Sequence, residues 1–124
     1  MGARDFTELR AWLLARRLKV EVDRAVLAKP GALAQRKFHE QLWDAVGSVP
    51  RNLAEGFGRY SHREFAHFTR IARASLKETQ NHILDARDQS IIDEGEFKQL
   101  WKRSDEAVAA ATALLKYLTG GRDR

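Results

Sequence analysis

The sequence predicts an all-α protein folded as an antiparallel up-down-up-down four-helix bundle. Apolar residues recur at helical spacing along most of the chain, and none alternate with the period of two that marks a strand. Only two prolines occur, Pro30 and Pro50. Helix-start and helix-stop signals divide the chain into four stretches of similar length with short connections, which favours antiparallel neighbours. Residues 1–124 are expected to form a single domain, long enough for one hydrophobic core.

The first helix is expected over residues 5–27. Asp5 with Glu8 has the spacing of a capping box, in which each side chain satisfies an orphan backbone donor. The turn Ala28-Lys29-Pro30-Gly31 should end it. Two apolar stripes run along it, one of Phe6, Leu9, Leu13, Val20 and Leu27, the other of Ala11, Ala15, Leu18, Val22 and Val26. A helix apolar on two sides needs two burial partners. The bundle core is one, and a neighbouring subunit is the simplest second, so a homo-oligomer is expected.

The second helix is expected over residues 33–57, with Phe38, Leu42, Val46 (or Ala45), Val49 and Leu53 on its core face. Pro50 lacks a backbone donor and crowds the preceding turn, which predicts a kink or brief break between Val46 and Pro50. Gly56 and Gly58 should end the helix and let the next leave sharply. The third helix, 61–88, opens on a Ser61-x-x-Glu64 box with Tyr60 and Phe65 placed as a hydrophobic staple. Its core stripe is Phe65, Phe68, Ala72, Leu76, Thr79 and Ile83. The fourth, 93–118, repeats the device with Asp93 and Glu96 as box and Ile92 and Phe97 as staple. Phe97, Leu100, Trp101, Val108, Ala111, Leu115 and Leu118 form its stripe. Gly120-Gly121 stops it, and residues 119–124 are expected to fray.

Charged residues make up 31% of the chain and hydrophobic ones 44%, which fits a soluble globular protein. No apolar run reaches the roughly 20 residues of a membrane span. The N-terminus resembles neither a signal peptide nor a myristoylation site. A cytoplasmic location and no membrane partner are expected. Cysteine is absent, which removes disulfides, thiolate catalysis and cysteine-based zinc sites.

The net charge of +5 is unevenly placed. Residues 36–77 hold eight Lys/Arg against four Asp/Glu, whereas residues 78–118 hold five against eight. With Phe65 at 0°, Arg63, His67, Arg70, Arg73 and Lys77 fall between about 80° and 200° on the third helix, away from its core stripe. No acidic residue enters that sector between positions 63 and 77, and Ala66 and Ala74 keep it low. An ordinary solvated face interleaves both signs. This one is single-signed, with Arg51 and Arg59 just upstream, and suits a phosphate backbone. Phe65 and Phe68 point inward on this geometry, as core residues and not base-stacking platforms.

No catalytic residue, metal ligand or cofactor is expected. Glu64-x-x-His67 has the spacing of a di-metal bundle ligand pair, but such sites need a second pair and two more glutamates facing the core. Glu78 and His82 are wrongly spaced, and His67 points outward. Gly56-x-Gly58 lacks the strand and third glycine of a dinucleotide fingerprint. No serine sits in a nucleophile elbow.

The segment Ser48-Val49-Pro50-Arg51-Asn52-Leu53-Ala54-Glu55-Gly56-Phe57-Gly58-Arg59 resembles the S-[IV]-P-x-N-[IL]-A-E-G-x-G-R signature of the four helix bundle protein family. That family includes proteins encoded in intervening sequences of bacterial 23S ribosomal RNA genes. It is related to the accessory variability determinant of diversity-generating retroelements. The likeness continues through Ser61, Glu64-Phe65, Phe68, Ile71-Ala72 and Ser75-Leu76-x-Glu78. The resemblance implies a four-helix bundle that assembles as a homopentameric ring with a basic surface for RNA or DNA. In the retroelement relatives it implies a reverse-transcriptase partner. The binding residues expected here are Arg59, Arg63, His67, Arg70, Arg73 and Lys77. The alternative is a scaffold whose basic face docks an acidic or polymerase-type protein.

Overall fold

The computed structural model describes residues 2–121. A single 3₁₀ turn, Phe6–Glu8, precedes α1 (Arg10–Val22), which widens into a π-helical turn at Asp23–Leu27. The short α2 (Pro30–Leu33) follows, then three long helices: α3 (Arg36–Phe57), α4 (His62–Asp88) and α5 (Glu94–Thr119). The four long helices pack in a ring, α1 against α3 and α5, and α4 against α3 and α5. No strand occurs among the described residues, and no helix is long and apolar enough to cross a membrane.

Every neighbouring pair is antiparallel. His39 Nε2 lies 3.2 Å from the Leu27 carbonyl, while Gly47 further along α3 lies beside Lys19, earlier in α1. Ser48 pairs with Ser75 at 3.0 Å, and Gly56 meets Phe65. Gln80 bonds Ser104, and Arg87 sits over Phe97. Glu21 accepts from Arg103 at 3.1 Å, whereas Leu9 and Ala11 share a groove with Leu114 and Tyr117. The up-down-up-down expectation is therefore met.

The core stripes of α3 to α5 follow their helical spacing. Phe38, Leu42, Ala45, Val46, Val49 and Leu53 are buried, as are Phe65, Ala72, Leu76, Thr79 and Ile83. Leu100, Ala111, Leu115 and Leu118 join them from α5, with Phe68, Phe97, Trp101 and Val108 half-buried at the margin. Thr69 and Thr79 are buried but satisfied, each hydroxyl donating to the carbonyl four residues back at 2.8 Å.

The N-terminus departs from expectation. Asp5 caps nothing with its side chain; its carboxylate accepts the Thr7 hydroxyl at 2.8 Å, and the α-helix begins only at Arg10. The start of the chain makes one tight turn first, because Leu9, in extended backbone, drops into the core instead. The stripe of Ala11, Ala15, Leu18, Val22 and Val26 is wholly buried, whereas that of Phe6, Leu9, Leu13, Val20 and Leu27 breaks up for related reasons. The wide turn at Asp23–Leu27 delays the helical phase and brings Leu27 in beside Val26, both buried. Phe6 and Val20 are half-buried, and only Leu13, 51% exposed, remains fully on the outside. Beyond it, Pro30 does not sit in an open turn but starts α2 as a first-turn residue. The next long helix consequently begins at Arg36 and not at 33.

Pro50 does not break α3, which runs unbroken from Arg36 to Phe57. Its ring is buried, and two residues on, Asn52 Nδ2 donates to both the carbonyl and the hydroxyl of Ser48 at 2.8 Å. Gly58 ends α3 with an ordinary φ of −74°. Gly56 serves closeness, because a Cβ there would lie 2.8 Å from Phe65 Cδ1 and 2.9 Å from Phe68 Cβ.

At the start of α4, Ser61 Oγ accepts the Glu64 N–H at 3.1 Å. The reciprocal half of the box is absent, since the Glu64 carboxylate turns to the Ser61 hydroxyl at 3.3 Å and towards Arg59 at 3.9 Å. The expected staple is absent too: Tyr60 is fully exposed. The box at α5 is complete, with Glu96 N–H donating to Asp93 at 2.7 Å and Asp93 N–H to Glu96 at 3.0 Å. Ile92 is buried and Phe97 packs on the core, as a staple requires. Gly120, in left-handed backbone with φ 64°, closes α5, and the Gly121 N–H returns to the Lys116 carbonyl at 2.8 Å. Thr119 is still helical and does not fray; residues 122–124 of the expected frayed tail lie outside the described residues.

Candidate nucleic-acid interface

Four of the expected binding residues, Arg63, His67, Arg70 and Lys77, are exposed on the outer side of α4. They lie there because the opposite side of the helix carries Phe65, Ala72, Leu76 and Ile83 into the core. Arg63 makes no ion pair among the described residues. His67 stacks edge-on against Phe68, ring centroids 5.4 Å apart. Lys77 Nζ donates to Gln80 Oε1 at 3.2 Å, and Gln80 Nε2 in turn donates to Ser104 Oγ and Asp105 Oδ1, both at 2.9 Å. A partly buried polar chain from α5 therefore holds the Lys77 head group along α4.

Two of the six stand differently. Arg73, at the edge of the sector, is half-buried. The buried arc of α4 reaches it because α5 packs on that side, which also buries Ala66, expected on the open surface, and Gln80. Arg59 is tied into the corner: its guanidinium pairs with Glu55 at 3.1 Å and lies 4.8 Å from the Phe68 ring centroid. Its side chain is nonetheless 41% exposed. The sector that remains is a ridge of three full cations and a histidine. Over the 14 steps from Arg63 to Lys77 it extends about 21 Å by helical rise.

Aromatic residues at the α3–α4 corner escaped the sequence reading. Tyr60 projects fully into solvent between Arg59 and Ser61. His62 stands 5.5 Å from the ring of Tyr117, which is 50% exposed on the last turns of α5. The available signal was a tyrosine in a tight polar turn flanked by cations, with no apolar neighbour in sequence to bury it.

Elsewhere, His82 is buried against Phe38, its Nε2 without a hydrogen bond and 3.7 Å from the Glu78 carboxylate. Among the described residues no three His, Asp or Glu side chains gather as metal ligands. A groove of about 620 Å³ runs between the start of α1 and the second half of α5, floored by Ala109, Ala110, Ala113 and Leu114 and edged by Glu8 and Glu106. Among the described residues, Glu96 has the one clearly shifted carboxyl. Hydrogen bonds from Lys29 Nζ, at 2.6 and 2.7 Å, and then from the Asp93 N–H hold it below its ordinary range.

The family model described as 23S rRNA-intervening sequence protein matches residues 7–113 of this chain. No curated protein matches it.

Proposed function

The chain belongs to the 23S rRNA-intervening sequence protein family, and from that premise we propose that it is a non-enzymatic, oligomeric bundle binding RNA or DNA through phosphate contacts on α4. The observation that supports this reading most is the single-signed, exposed row of Arg63, His67, Arg70 and Lys77. Such a row neutralises phosphates by charge and counterion release, without reading bases. Arg73 borders the row and Arg59 orders its upper end, so neither is the principal contact. The polar groups buried beneath it, Thr69, Thr79 and Gln80, are engaged in backbone and interhelical hydrogen bonds. A cytoplasmic setting belongs to the same proposal.

The experiment is a salt-titrated binding measurement on the wild type and an Arg63→Glu/Arg70→Glu/Lys77→Glu variant. The wild type should lose affinity steeply with salt, and the variant should bind weakly with a salt slope lower by about 3. Equal affinities with little salt dependence would sink the proposal. All three residues are exposed, so the variant keeps the core.

Self-assembly is part of the proposal, with a homopentameric ring as the form the resemblance implies. Exposed Leu13 on α1 and the alanine-floored groove between α1 and α5 favour a protein partner. The same observation supports the second reading, a scaffold docking an acidic or reverse-transcriptase-type protein. Affinity capture after nuclease treatment separates the two: a partner lost with the nucleic acid favours direct binding to RNA or DNA.

A further inference from the structure

The rings at the α3–α4 corner have a geometry that the phosphate-binding row does not explain. Tyr60 contributes nothing to the core, and a tyrosine held fully in water gains no packing in exchange. His62 and Tyr117 bring two more rings to the same end of the bundle, one from each of two helices. In the chain, Arg59 and Arg63 flank Tyr60 and His62. The acidic groups at the corner, Glu55 and Glu64, both face Arg59, at 3.1 and 3.9 Å, and so leave Arg63 unopposed. From this corner the basic row of α4 leads directly away.

We infer that the Tyr60–His62–Tyr117 corner stacks unpaired bases, and that the nucleic acid taken by the α4 row is single-stranded. This rests on the α4 row being a nucleic-acid surface, and it adds a choice of strand form. Phosphate contacts alone treat a duplex and a single strand much alike. Bases inside a duplex are already stacked on one another, so an exposed aromatic ring rewards only an unpaired base. A strand with its terminal base on Tyr60 would lay its phosphates along Arg63, Arg70 and Lys77.

The test is fluorescence anisotropy of labelled oligonucleotides of about 12 residues, single-stranded and annealed to their full complements, in both ribose and deoxyribose forms. The proteins compared are the wild type, Tyr60→Ala, Tyr60→Phe and the triple glutamate variant. Tyr60 is fully exposed, so its substitutions leave the fold intact. Tyr60→Ala should weaken single-strand binding about tenfold and leave duplex binding unchanged, while Tyr60→Phe keeps wild-type affinity because the ring is what stacks. Equal single-strand affinity for wild type and Tyr60→Ala overturns the inference, even where salt-dependent binding upholds the α4 row. A triple variant that binds like the wild type removes the α4 row and, with it, the inference that rests on that row. Absence of binding by the wild type to any of the four oligonucleotides overturns both.

Discussion

A Cβ built at Gly56 would lie 2.8 Å from Phe65 Cδ1 and 2.9 Å from Phe68 Cβ, too close for α3 and α4 to keep their spacing. The second contact is to an atom next to the backbone, so rotating a ring cannot relieve it. Gly56→Ala should therefore cost about 1–3 kcal/mol, read as a lower midpoint in urea unfolding. Gly58→Ala is the control, since its Cβ would meet nothing nearer than the Glu55 carbonyl at 3.5 Å and its φ of −74° suits any residue. Its effect should stay within about 0.5 kcal/mol. The two glycines look alike in the sequence, both ending a helix. What separates them is the approach of a second helix, which a one-dimensional pattern does not carry. The same holds for Tyr60: a staple depends on how the chain enters the helix, and here it enters with the ring turned outward.

Helix starts differ in how far local signals determine them. At α5 the Asp93–Glu96 box forms as spaced, and Lys29 reinforces it from across the bundle. Glu96 consequently has a lowered carboxyl pKa, from the Lys29 hydrogen bond first and the Asp93 backbone second. A depressed carboxylate stabilises the fold above the unfolded value, near 4.5, and loses that contribution as pH falls through the folded value. Glu96→Gln should thus cost about 1 kcal/mol near neutral pH, and the gap to wild type should close in acid, as followed by thermal unfolding across pH. The Asp5–Glu8 spacing reads the same way but produces a 3₁₀ turn, because burial of Leu9 wins over the local cap. Apolar periodicity made the α3, α4 and α5 stripes legible, since a period of 3.6 maps directly onto a face. The π turn at Asp23–Leu27 and the unbroken passage of α3 through Pro50 are tertiary outcomes and left no such trace. On the outer side of α4 the row itself was legible from the same periodicity. The half-burial of Arg73 was not, because it depends on where α5 lies.

In the whole molecule, exposed Leu13 lies on α1 and a groove with small side chains runs between α1 and α5, whereas the single-signed row lies on α4. Assembly and ligand binding would then use different sides, and a ring would repeat the α4 row around its outside and add avidity to weak phosphate contacts. Leu13→Asp should lower the mass seen by light scattering at micromolar concentration while leaving the monomer's unfolding within about 0.5 kcal/mol. A wild type that scatters as a monomer removes the assembly claim altogether. The antiparallel ring of helices also has a practical consequence. The start of α1, the α3–α4 corner and the end of α5 all lie at one end of the bundle, as the groove shared by Ala3, Leu9 and Tyr117 and the His62–Tyr117 contact show. An affinity tag or surface attachment at either terminus would therefore crowd the rings at that corner. The far end is marked by the turn around Gln89, which is exposed, and the chain contains no cysteine. One cysteine introduced at Gln89 would give a unique thiol anchor, about 40 Å away along α5 by helical rise, leaving the corner open to a strand from solution.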